Sequence, residues 1–212
     1  MLTKNHDKLT AEVQAHIAAD AVIQGNYWDG LKGCFIGCLA HSSDAIILQD
    51  WYGLPLPLVR ICEVIFEGLT QNEAKDFFAA IPNAVGRDGK DLSRVSWQFF
   101  AAELRALPPA PEDTQKVIDQ VIAGVDLLAK GQDWPDDTRA AYAAYATRAD
   151  YAAYAATRAA YAADAADAAT RATYAADAAI GAARAAGATN AAIGAALKRQ
   201  RDTILRLISE AN

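Results

Sequence analysis

Residues 56–82, LPLVRICEVIFEGLTQNEAKDFFAAIP, decide the fold class. Leu58, Ile61, Val64, Ile65 and Leu69 recur at helical spacing, which predicts a helix over 57–69. Thr70 with Glu73 three residues later forms a capping box: hydroxyl and carboxylate would satisfy the free N–H groups of a new helix start. A second helix follows and is expected to stop at Pro82, whose ring and missing N–H oppose continuation. Two helices back to back, with no period-two alternation between them, point to an all-α chain.

The same grammar extends in both directions. Residues 8–24 place Leu9, Val13, Ile17 and Val22 near one face before Gly25 and Asn26 break the pattern. Residues 28–41, WDGLKGCFIGCLAH, are apolar and small, with three glycines that weaken a helix. Residues 42–54 hold turn formers, 83–91 read as a polar loop, and 92–107 and 112–130 read as amphipathic helices. Residues 1–134 are therefore expected to form an N-terminal helical globule.

From 135 the composition changes. Pro135 among Asp133, Asp136 and Asp137 signals a helix start. Between Ala140 and Ala186 there is no proline and a single glycine, Gly181, in a background of alanine, the strongest helix former. This predicts a long helix over 136–186, a reversal near Gly187, and a last helix over 190–209. Together 135–212 would be an Ala-rich arm forming a helical hairpin or bundle. Arg158, Arg171 and Arg184 open three 13-residue units built on X-Ala-Ala triplets. A three-residue step drifts around a 3.6-residue helix, so the large side chains spiral. Tyr142, Tyr145 and Tyr174 fall on one side and Tyr151, Tyr154 and Tyr161 on another, so these tyrosines are the expected contact residues of an oligomerisation or partner-binding arm.

Charge narrows the function classes. The chain of 212 residues carries a net charge of −6. Residues 1–134 hold 11 basic and 18 acidic side chains, and the rest hold 9 and 8. An acidic globule is a poor nucleic-acid coat; only Lys198, Arg199, Arg201 and Arg206 form a basic run. Three cysteines are too few for a disulfide framework and fit a reducing cytoplasm. The first residues lack the apolar stretch of a secretory signal, and no charge-free apolar window predicts a membrane span.

Cys34, Cys38 and His41 are the sharpest constellation. Their offsets put all three on one helix face if 31–41 is helical. Thiolate and imidazole suit zinc, which takes four N/S donors. Cys62 is the best placed fourth ligand, with His16 and His6 behind it. Two other readings stay open: Cys34 and Cys38 as small buried hydrophobes with His41 as a helix cap, and a reactive thiol with His41 as its base. Glu63 and Glu67 at i,i+4, with Arg60 before them, form a second candidate polar site, although the apolar stripe beside them places the carboxylates on the wet side.

The stretches KGCFIGCLAHSSD (32–44), GLPLPLVRICEVIFEGL (53–69) and EAKDFFAAIP (73–82), followed by the Ala/Tyr/Arg/Asp tract and KRQRDTILRLI (198–208), resemble a widespread family of Ala-rich hypothetical proteins of bacteria and tailed phages. The resemblance implies an architecture and a phage context but no mechanism. Three functional expectations follow. The favoured one is a non-catalytic, cytoplasmic interaction protein, homodimeric or larger, without a cofactor, which in a phage would bind or inhibit a host protein. The second is a small metal- or Cys/His-dependent enzyme, with zinc as its cofactor. The third is a nucleic-acid accessory protein.

Overall fold

A computed structural model describes residues 1–107, 109, 112–135 and 190–212. The described residues are all-α. Among the described residues, eight helices run in the order α1 (His6–Ala18), α2 (Phe35–Ala40), α3 (Ile46–Tyr52), α4 (Leu56–Gly68), α5 (Gln71–Val85), α6 (Val95–Arg105), α7 (Glu112–Ala129) and α8 (Asn190–Glu210). Extended pairing among these residues is limited to isolated bridges, such as Val22 with Gly33 and Trp28 with Gly33. The predicted long helix, its reversal near Gly187 and the tyrosines Tyr142, Tyr145, Tyr151, Tyr154, Tyr161 and Tyr174 lie outside the described residues.

The α4–α5 junction forms as its sequence requires. Glu73 accepts hydrogen bonds from the Thr70 backbone N–H (3.2 Å) and hydroxyl (2.7 Å). Pro82 does not end α5. It removes one N–H donor, but its own carbonyl still closes the final turn with Gly86 N at 2.8 Å, and the chain leaves the helix at Gly86, φ 76°.

Three expected boundaries move. Helix α1 stops at Ala18 because Asp20 takes a left-handed conformation, φ 49°. The chain then returns as an extended segment, with Ile23 N donating to Gly33 O at 2.9 Å. The buried stripe of α1 is Leu9, Val13 and His16, and Ile17 is turned outward. Residues 46–52, expected among turns, form α3; the Ser42–Asp44 turn starts it, with Asp44 Oδ1 accepting from Ile46 N at 2.9 Å. In 31–41 only Phe35–Ala40 is helical: Cys34 is the residue before the helix, and His41 the residue after it.

The core is aromatic at its centre, with Phe35 packed against Phe66, Phe77 and Phe78 at centroid distances of 6.3, 6.1 and 5.9 Å. Helix α1 lies on α5 and α2, and α6 pairs with α7. Helix α8 crosses α4, α5 and α6 and inserts Leu197, Ile204 and Ile208 into the same core as Leu58, Phe66 and Phe99. The last helix therefore packs against the globule, with its apolar stripe buried there. Buried Glu103 fastens it further, accepting from Arg199 (2.9 Å) and Gln200 (3.1 Å). None of the described helices is long and apolar enough to cross a membrane.

Candidate metal site

The short helix α2 has a cluster of ionisable groups at each end. At its start, Cys34 Sγ donates to Glu63 Oε1 at 2.9 Å, and the backbone N–H of Ile36 donates to Glu63 Oε2 at 3.1 Å. Glu63 thus reaches across from α4 to cap α2, and it is buried, contrary to the expectation that it would face water. The neighbouring carboxylate, Glu67, stays at the surface and accepts from Gly25 N at 2.9 Å; Arg60 acts on Glu63 only as a distant favourable charge.

Burial pushes the Cys34 thiol up to about 12, with the Glu63 charge adding to the effect, and burial pushes Cys38 up to about 12 as well. Cys62 is raised for the same reason. Cys38 Sγ instead donates to Gly33 O at 3.1 Å. The set Cys34, Cys38, His41 and Cys62 is therefore not assembled around one point. Its premise, a helix through 31–41, fails, and the protonated, buried thiols take the place expected of small hydrophobes.

Burial also lifts the Glu63 carboxyl above the usual carboxylate range, with a smaller contribution from Glu67, despite its hydrogen bonds from Cys34 and Ile36. The folded state then holds a proton that the unfolded chain has lost, in the window from about pH 4.3 up to the raised value. Stability contributed by this group falls as pH rises through that window. Glu63→Gln removes the charge and keeps one acceptor oxygen, enough for the Ile36 N–H, while its amide NH2 faces the Cys34 sulfur. Urea midpoints measured from about pH 4 to 8 should show the wild type losing stability relative to the variant as pH rises; parallel curves would show that Glu63 does not titrate anomalously.

At the other end of α2 a different constellation closes. His41 is the C-terminal cap of α2, in a left-handed conformation at φ 50°, ψ 35°. That turn swings its ring toward α1, where Glu12 and His16 stand four residues apart on one face. His16 Nε2 lies 3.1 Å from His41 Nε2, His41 Nε2 lies 3.4 Å from Glu12 Oε2, and His16 Nε2 lies 3.7 Å from the same oxygen. Trp28 stacks on the His41 ring with centroids 4.8 Å apart and planes at 20°, and meets His16 edge-on at 5.6 Å and 87°. The side chain of His16 is 11% exposed, that of Glu12 25% and that of His41 42%, so the cluster opens to solvent on one side.

This arrangement can bind a cation. An ion about 2.0–2.1 Å from each N or O donor holds tetrahedral donors roughly 3.3–3.4 Å apart; the three separations observed bracket that value. Burial first, and the neighbouring His41 second, lower the His16 pKa against the opposing pull of Glu12, which keeps the imidazole neutral and able to donate a lone pair. The Cys38 backbone carbonyl opposes this lowering only weakly.

Sequence reasoning named His41 and offered His16 as a reserve ligand, but missed Glu12 and Trp28. The Glu12-x3-His16 spacing on one helix face was the signal that could have found Glu12. The basic run on the last helix is neutralised where it stands: Lys198 pairs with Glu73, Arg199 with Glu103, Arg201 with Asp202 and Arg206 with Glu210. No family model, curated protein or solved structure matches the chain.

Proposed function

We propose that the protein is a small metal-dependent protein in which Glu12, His16 and His41 hold one divalent ion of the zinc type, with a remaining coordination position facing solvent. The observation that carries this reading is the trio of donor separations, 3.1, 3.4 and 3.7 Å, made by two imidazole nitrogens and a carboxylate oxygen. Two histidines and one carboxylate with an open fourth position is the ligand pattern of zinc sites that bind and activate water or substrate, rather than of closed structural sites. Such an ion supplies a Lewis acid and a water acidic enough to ionise near neutral pH.

Titration of chelator-treated protein with zinc, followed calorimetrically, tests this. One ion per chain is expected. His16→Ala should abolish uptake, and Cys34→Ala or Cys38→Ala should leave the stoichiometry unchanged. Uptake that survives His16→Ala, or that disappears in the cysteine variants, would overturn the assignment.

A second reading concerns what meets the open position. Six large apolar side chains are exposed among the described residues, and four of them, Ile17, Tyr27, Leu31 and Ile46, lie within five residues of His16, Trp28 or His41 in the chain; Leu31 is 80% exposed. Exposed apolar side chains this near the ligands in the chain favour a protein partner, in line with the interaction role expected from sequence. Light scattering with zinc and with chelator separates the two: a mass that rises only with zinc favours a partner copy, and a constant monomer favours a small ligand.

A further inference from the structure

We propose that Trp28 is the positioning residue of this metal site: its indole sets the orientation of the His41 ring and binds that ring more strongly once a metal is attached. The inference rests on the metal reading above. His41 is the most exposed of the three ligands and is carried on the first residue past a helix, so its own backbone does not fix its ring torsions. Its Nε2 edge meets His16 and Glu12, and the contact on its face is the stack at 4.8 Å and 20°; the same indole abuts His16 edge-on, so one aromatic side chain gauges both imidazoles. The half-buried Trp28 is itself held close: the backbone pairs Trp28 with Gly33, and Cys34 N donates to Asn26 O at 2.8 Å.

The chemistry gives the stack a direction. A coordinated metal withdraws electron density from imidazole, and its face becomes more positive. The face of indole is the negative part of its quadrupole, so attraction grows on metallation, as in a cation–π contact. The indole thereby favours the metal-bound state over the free one. It touches a ligand and not the ion, so it tunes affinity and geometry without being a ligand.

Trp28→Leu keeps an apolar side chain and removes the π face; Trp28→Phe restores a π face. Zinc affinity by chelator competition, the visible spectrum of the cobalt-substituted protein and the melting temperature of the metal-free protein are measured on all three chains. Trp28→Leu is expected to weaken zinc binding by roughly 10–100-fold, the range found for outer-shell partners, and to change the cobalt spectrum. Trp28→Phe should recover most of the affinity and the wild-type spectrum, with both metal-free variants melting close together. Wild-type affinity and spectrum in Trp28→Leu would overturn the inference while leaving the metal site intact. So would an affinity loss that Trp28→Phe does not restore and that follows the metal-free melting temperature. A wild-type protein that takes up neither zinc nor cobalt would overturn the metal reading, and this inference with it.

Discussion

Gly37→Ala is expected to destabilise the protein by about 2–3 kcal/mol, although it places a better helix former inside a helix. A Cβ at Gly37 would lie 1.2 Å from the Tyr27 carbonyl oxygen and 2.3 Å from its carbon. These are backbone atoms and cannot rotate aside, so α2 and the 27–28 segment must separate. Overpacking of this kind costs up to about 3 kcal/mol or more, and the gain in helix propensity returns only about 1 kcal/mol. Gly194 in α8 provides the internal control, because nothing lies within 4 Å of its missing Cβ. Gly194→Ala should therefore stabilise by up to about 1 kcal/mol. Urea denaturation of the two variants should give shifts of opposite sign; a Gly37→Ala protein as stable as Gly194→Ala would show that Tyr27 does not rest on α2. The separation also withdraws Trp28 from His41, so zinc affinity should fall with stability in Gly37→Ala and hold in Gly194→Ala.

That close approach explains what could be read from the chain and what could not. The Thr70–Glu73 box and the helices on either side of it were legible because each depends on residues within one or two turns. The apolar faces of α4, α5 and α6 were legible for the same reason. Gly33 and Gly37 were visible only as residues that weaken a helix; that a distant carbonyl occupies the space of the missing side chain is a tertiary fact. The spacing of Cys34, Cys38 and His41 was real, but its meaning depended on a helix that begins only at Phe35. Once His41 turns left-handed at the end of α2, its partners come from α1, 25 and 29 residues earlier in the chain. Glu63 was misplaced because the i,i+4 pattern of α4 could not show that α2 ends against it and needs a cap. Pairing of the last helix's basic residues with Glu73 and Glu103 was equally beyond local reading.

His41→Gly should separate the metal function from the fold more cleanly than any other substitution at the site. An L-residue in the left-handed region costs about 1 kcal/mol, and glycine, the preferred residue after a helix, removes that cost. Against this stands the lost stack on Trp28, worth about 0.5–1.5 kcal/mol. The two nearly cancel, so metal-free His41→Gly should unfold within about 1 kcal/mol of the wild type. Metal binding behaves differently. Loss of an outer-shell partner alone weakens metal affinity roughly 10–100-fold, so removing one of three ligands should exceed about 100-fold. At a free zinc concentration of 100 times its dissociation constant the wild type gains about 2.7 kcal/mol, a rise in melting temperature of roughly 5–10 °C. His41→Gly should gain almost none of it under the same conditions. Denaturation of both chains with chelator and with zinc reads the two effects independently. Equal zinc-linked stabilisation in the variant would remove His41 from the ligand set. A metal-free variant several kcal/mol less stable than wild type would mean that His41 is retained for the fold, and that the left-handed turn after α2 is built around its imidazole rather than around an ion.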